Sequence, residues 1–229
     1  MSECTKVKDA SLKGKLRIAV CGAHPDDPET GCGGTMALYS ELGHEVVAIY
    51  LTRGERGVAG KSYEEAAQIR TREAIEACKI LNARAVFVGQ INGKCEITAD
   101  RYDEFRKIIE NENPDVVLTH WPIDSHPDHR ICSDLTYDAW TRSGRKFALY
   151  YYEVMTGDQT RNFHPTDYVD ITTTIDQKHA ACFAHISQGI EHVYGKSHGR
   201  MEEFRGMEGG CRFAEAYVKN AQSRAAVLP

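Results

Sequence analysis

The sequence predicts an α/β protein: a Rossmann-like, mainly parallel sheet with helices on both faces, plus a C-terminal loop or lid region. Two observations predict it. Four short apolar or β-branched runs alternate with segments of helical spacing. Each run gives way to a polar loop. A strand–helix–strand succession of this kind demands right-handed crossovers, which cover both faces of a parallel sheet.

The first strand is 16-LRIAVCG-22. The helical segment 34-GTMALYSELG-43 leads to a second strand, 45-EVVAIYLT-52. SYEEAAQIRTREAIEACKILN (62–82) is the next helix and ARAVFVG (83–89) the third strand. DRYDEFRKIIENEN (100–113) is a helix stopped by Pro114, whose ring and missing N–H cannot continue it. DVVLTHW (115–121) is the fourth strand, with HRICSDLTYDAWTR (129–142) as the helix behind it. The strand-like run 147-FALYYYEV-154, the VDIT segment (169–172) and a helix over 174–188 extend the sheet. The glycine-rich stretch 189–212 reads as a loop or lid before a last helix, 212-RFAEAYVKNAQSR-224.

Bulk properties narrow the function classes. The 229 residues, 41 % hydrophobic and 27 % charged, suit one globular domain over 1–229, with 1–14 as a flexible tail. A formal charge of -5 supplies no broad basic field, which argues against nucleic acid as a partner. No apolar run reaches the length of a membrane span, and the start MSECTKVKDASLKGK has no hydrophobic signal core, so the cytoplasm is the expected compartment. The eight cysteines are scattered without a C-x-x-C pair and read as reduced, buried thiols. Self-association is left open.

The tripeptide HPD occurs twice, in 24-HPDDPET-30 and in 126-HPDHR-130, each just past the carboxyl end of a predicted strand. Alone, each copy is a turn and helix cap. Together they carry more. Ligands of open α/β sheets collect outside the carboxyl ends of strands at a switch point. If strands one and four are neighbours there, His24, Asp26, Asp27, His126, Asp128 and His129 converge. Imidazoles and carboxylates with an open position are the donor set of a catalytic Zn²⁺ site.

The stretches 23-AHPDDPETGCGGT-35, 51-LTRGERG-57, 70-RTREAIEACKILN-82, 126-HPDHR-130 and 184-AHISQ-188 resemble the PIG-L, or LmbE-like, family of zinc-dependent deacetylases, across most of residues 16–220. The resemblance implies His24, Asp27 and His129 as ligands of Zn²⁺, with another divalent metal as the alternative. It implies Asp26 as general base, and His126 as the group that steadies the oxyanion or protonates the leaving amine. Asp128 would orient a histidine, and Arg53, Arg70, Asn92 and Arg130 are further substrate or supporting candidates. The implied substrate is a small N-acyl amino sugar or its glycoside, of N-acetylglucosamine type. Pro28 departs from the family's A-H-P-D-D-E and moves Glu29 one place on. Asn92 stands where many sugar deacetylases carry Asp.

Other readings are weighed beside this one. An amidase acting on a thiol conjugate or a natural-product precursor would share the metal site. A dinucleotide-binding module is invited by 31-GCGGT-35, but Met36 stands where the last glycine of G-x-G-x-x-G is required. A non-enzymatic metal-binding domain is the third. His185 is read as a satisfied core histidine, and Glu29 has no assigned role.

Overall fold

A computed structural model describes residues 14–224 and 228–229, so the expected tail lies, Gly14 apart, outside the described residues. The strands are β1 (Arg17–Gly22), β2 (Glu45–Thr52), β3 (Arg84–Gln90), β4 (Val116–His120), β5 (Ala148–Tyr152), β6 (Asp167–Asp170) and β7 (Ala214–Lys219). They form one sheet in the order β3-β2-β1-β4-β5-β7-β6. The first five are parallel, and β7 runs antiparallel between β5 and β6. The helices are α1 (Asp27–Glu41), α2 (Tyr63–Ile80), α3 (Ala99–Glu112), α4 (Pro127–Arg142), α5 (Ile175–Phe183), α6 (Ile190–Val193) and α7 (His198–Gly209).

The continuous apolar runs of the central strands are explained by cover on both faces. In β1, Ile18 and Val20 enter one buried cluster with Met36, Tyr39, Tyr50 and Tyr152. Ala19 and Cys21 enter the other, with Phe105, Leu135 and Trp140. Local signals set the helix ends. Ser62 and Glu65 form a reciprocal capping box on α2. Thr98 caps α3, and Asn113, in the left-handed region at φ 46°, ends it before Pro114.

Expectations are corrected near the first motif and toward the C-terminus. The helix expected from Gly34 begins at Asp27, so 24-HPDDPET-30 leads straight into α1. Pro28 suits that start, because a first-turn N–H has no intrahelical acceptor to lose. The glycines that invited a dinucleotide loop lie inside this helix, where they permit close packing. A Cβ on Gly31 would fall 2.6 Å from the Tyr152 ring, and one on Gly34 2.5 Å from Ile171.

The glycine-rich loop or lid is instead largely helical, as α6, a 3-10 turn and α7. The last helix expected over 212–224 is strand β7. Its residues have good helical spacing, but a buried slot between β5 and β6 overrides that preference. There Glu215 accepts hydrogen bonds from the backbone N–H groups of Gly34 and Thr35 at 2.9 and 2.8 Å and pairs with Lys178 at 2.7 Å. The helix expected over 174–188 ends at Phe183, with a 3-10 turn over 186–188, and the VDIT strand is displaced to Asp167–Asp170. Among the described residues no helix is long and apolar enough to cross a membrane.

Candidate active site

β1 and β4 are hydrogen-bonded neighbours, with Cys21 opposite Thr119, and their crossovers leave toward opposite ends of the sheet. The loops that follow therefore open into one crevice. The first turns through His24, Pro25 and Asp26 into α1. Asp26 holds φ 119° and ψ -26°, a conformation that costs a non-glycine residue about 1–3 kcal/mol. The second loop runs from His120, the last residue of β4, to His126, the N-cap of α4. His126 Nδ1 accepts the N–H of Asp128 at 3.2 Å, and Asp124 accepts the N–H of His126 at 2.8 Å.

Three residues bring donor atoms together between these loops, Asp27 through both of its oxygens. His24 Nδ1 lies 3.2 Å from His129 Nε2 and 3.3 Å from Asp27 Oδ2, and His129 Nε2 lies 3.5 Å from Asp27 Oδ1. A tetrahedral ion bound at about 2.0–2.1 Å spaces its donors about 3.3–3.4 Å apart. The trio fits. Two further groupings, His24 with His126 and His129, and Asp27 with His120 and His129, hold their donors within 4.8 Å of one another. All of them contain His129.

The outer contacts fix which nitrogen faces inward. His24 Nε2 sits 3.1 Å from Asp128, whose carboxylate also accepts the Gly93 N–H at 2.6 Å. His129 Nδ1 sits 3.1 Å from Asp124, which also accepts the Thr160 hydroxyl at 3.0 Å. A proton held on the outer nitrogen leaves a lone pair on the inner one, the arrangement metal-binding histidines use. Burial opposes ionisation of Asp124 and Asp128, but these imidazole contacts dominate and hold both carboxyls down at about 2. Burial also opposes charge on His24, yet Asp128 and Asp27 outweigh it and raise the ring to about 9, so a cation bound here displaces the proton of the inner nitrogen. Asp27 is pulled well below the usual range against its burial by His129 and His120. Ionised carboxylates with inward-facing imidazoles form a donor set suited to a divalent cation.

Asp26, though adjacent, makes different contacts. Burial raises its carboxyl, countered first by Arg70. The Nη2 of Arg70 donates to Asp26 Oδ2 at 2.7 Å and to the carbonyl of Pro25. Glu29, unassigned in the sequence, is fully buried one turn further along α1. It accepts the Tyr50 hydroxyl at 2.5 Å and lies 3.4 Å from Nε2 of the fully buried His185.

The remaining candidates are dispersed. Arg53 is half-buried and donates to Thr71 at 3.2 Å. Arg130 donates to the carbonyls of Asp124 and Ser125, pinning the second loop. Asn92 donates its backbone N–H to Glu55 at 3.0 Å, beside the Gly93 that reaches Asp128. Sequence reasoning missed Asp124 and His120. His120 is buried, lies 3.1 Å from Asp27, stacks on His129 at 4.1 Å between centroids, and is pushed down to about 4 chiefly by burial. The signal was there: an ionisable residue closing a strand that leads into the second HPD.

Residues 19–140, β1 through α4 with both loops, match the family model described as PIG-L, GlcNAc-PI de-N-acetylase. The chain belongs to the PIG-L family. This PIG-L chain is 29 % identical over 186 residues to the diacetylchitobiose deacetylase of Thermococcus kodakarensis, covering 75 % of this chain and 69 % of that one. It is 28 % identical over 214 residues to the 4-oxalmesaconate hydratase of Pseudomonas putida, covering 83 % and 80 %. Among solved structures, a conserved protein from Thermus thermophilus superposes with a TM-score of 0.79 at 29 % identity, over 92 % of this chain and 97 % of that one. The PIG-L chain is thus an enzyme of a family of deacetylases, with a His/Asp group able to hold a metal.

Proposed function

We propose that the protein is a zinc-dependent N-deacetylase, hydrolysing the acetamide of an N-acetylglucosamine-type sugar or its glycoside. One observation carries the reading: His24 and His129 present nitrogens 3.2 Å apart, each 3.3–3.5 Å from an oxygen of Asp27, with Asp26 and His126 close by in the chain. His24, Asp27 and His129 would hold a zinc ion, which would supply Lewis acidity toward water and an amide carbonyl.

The protein's own residues supply the rest. Asp26, its Oδ2 engaged by Arg70, is the base that takes the proton of the attacking water. His126 accepts the Asp128 N–H on Nδ1, so its Nε2 carries the proton. A neutral ring of that tautomer donates a hydrogen bond from Nε2, the act an oxyanion requires. The proton taken by Asp26 then passes to the departing amine, leaving acetate and the free amino sugar. Asp128 and Asp124 hold the two ligand imidazoles from outside.

The test is metal analysis joined to a free-amine release assay on N-acetylglucosamine, N,N'-diacetylchitobiose and longer-acyl analogues. Zinc-dependent amine release from the acetylated sugars is expected, and a preference for longer acyl chains would instead favour an amidase of conjugates. Stoichiometric zinc with no amine released from any member would overturn the reading. A second reading, water addition to an unsaturated tricarboxylic acid, is supported by the 28 % likeness to the hydratase over most of both chains. Consumption of 4-oxalmesaconate, followed by loss of its ultraviolet absorbance, would decide for it.

A further inference from the structure

Asp124 stands behind the ligand His129, and both of its carboxylate oxygens are engaged. Oδ1 accepts the His126 N–H at 2.8 Å and lies 3.1 Å from His129 Nδ1. Oδ2 accepts the hydroxyl of Thr160 at 3.0 Å, across 36 residues of chain. The Asp124 side chain is only 1 % exposed, which leaves little room for water to replace a lost partner. A carboxylate turns broadly about its last torsion. Contacts on Oδ1 alone let the group swing about that oxygen, whereas a donor on Oδ2 holds its plane.

Thr160 is itself held in place. Its hydroxyl oxygen accepts the N–H of Val154 at 2.9 Å, so the hydroxyl proton is left for Asp124. Around it, residues 154–161, which follow β5, are laced to the second metal-binding loop. Thr160 and Asp124 form an antiparallel bridge. The Ser125 N–H donates to the Gln159 carbonyl at 3.1 Å, and the Arg161 N–H to the Ile123 carbonyl at 2.9 Å. The indole N–H of Trp121 donates to the Arg161 carbonyl at 3.0 Å. Gln159 Nε2 donates to Asp124 Oδ1 at 3.3 Å and lies 3.2 Å from His129 Nδ1. Backbone bonds alone would fasten a surface loop. Here a hydroxyl and an amide also converge on one buried carboxylate.

We propose that Thr160, carried by this segment, is a positioning residue for the metal ligand His129. It locks the Asp124 carboxylate, which keeps the proton of His129 on the outer nitrogen and the lone pair of the inner one toward the metal. The inference deepens the proposed function and rests on its metal centre alone, whichever substrate that centre serves. The competing reading is that Thr160 only fastens the loop, which would change folding stability and leave metal affinity as it is.

The experiment measures the zinc affinity of the full chain by competition against a chromophoric chelator, with stability to urea beside it. Thr160→Val keeps the shape and removes the hydroxyl, and is expected to bind zinc about 10-fold more weakly, the lower end of what loss of an outer partner costs. Thr160→Ser, which restores the hydroxyl, should return to within about twofold of wild type. In an Asp124→Ala background no carboxylate remains to be held. There Thr160→Val should add no more than about twofold, because two residues acting through one contact are not additive. Wild-type zinc affinity in Thr160→Val, a Thr160→Ser as weak as Thr160→Val, or an undiminished loss on top of Asp124→Ala would each overturn the proposal. Thr160→Ala removes the same donor and carries the same expectations if Thr160→Val does not fold. A wild-type chain that binds no zinc would overturn the metal centre itself and the proposal with it. Tight wild-type binding with an indifferent Thr160→Val overturns the proposal alone.

Discussion

His24 and His129, 105 residues apart in the chain, face each other through Nδ1 and Nε2 at 3.2 Å, with Asp27 bridging beneath them. Two bare lone pairs at that distance repel, so the arrangement is stable only with a proton or a cation between them. Removing either ring should therefore abolish the centre. His24→Ala and His129→Ala are expected to purify with less than a tenth of the wild-type metal by mass spectrometry of the elements. Asp26→Asn should keep its metal and lose turnover by about 10²–10⁴-fold, the usual scale of a lost general base. A metal-free Asp26→Asn would reassign Asp26 to the ligand set.

The outer carboxylates set the tautomers of those rings. Asp128→Asn and Asp124→Asn should weaken metal binding by about 10–100-fold, as loss of such partners does. Competition against a chromophoric chelator reads this directly. Asp128 also holds the Gly93 N–H, so its variant should in addition loosen the 91–98 loop, measurable as faster amide exchange there.

His126 offers a hydrogen bond from Nε2 rather than a charge, because burial first, and then His24 and His129, depress its pKa. His126→Ala should lower kcat by about 10²–10³-fold at unchanged metal content, the cost of one oxyanion donor. His126→Gln, which keeps an N–H donor, should recover part of that loss. Equal loss in both variants would point to proton transfer as the role of the ring.

The parallel half of the sheet and the meeting of the two HPD loops were readable because each depends on local patterns: apolar runs, helical spacing and a repeated tripeptide. The helix start at Asp27 was hidden because 27-DPETGCGG-34, with three glycines and no apolar spacing, carries no helical pattern of its own. Strand β7 was hidden because 213-FAEAYV-218 spaces its apolar residues as a helix would, and only the slot between β5 and β6 decides otherwise. The contacts of Asp124, His120, Glu29 and Arg70 depend on side chains meeting across distances in sequence that carry no periodic signal.

The buried charges behind α1 should make stability depend on acid. Lys178 is fully buried between Glu215 at 2.7 Å and Glu202 at 3.0 Å, and His179 also lies 2.9 Å from Glu202. Burial would raise the Glu202 carboxyl, but Lys178 and then His179 and Tyr194 pull it from 4.5 to about 2. A carboxyl depressed in the folded state contributes stability that is complete above its unfolded value near 4.5 and disappears as pH falls toward 2. Its share is on the order of 3 kcal/mol, at 1.36 kcal/mol for each pKa unit. Glu202→Gln should therefore be less stable than wild type to urea at pH 6, with the gap closing as pH falls from 4.5 toward 2. A gap that stays constant over that range would mean that Glu202 acts through packing and not through its charge. Lys178→Met tests the opposite partner: it leaves two buried carboxylates without their cation and should cost about 3–5 kcal/mol at neutral pH.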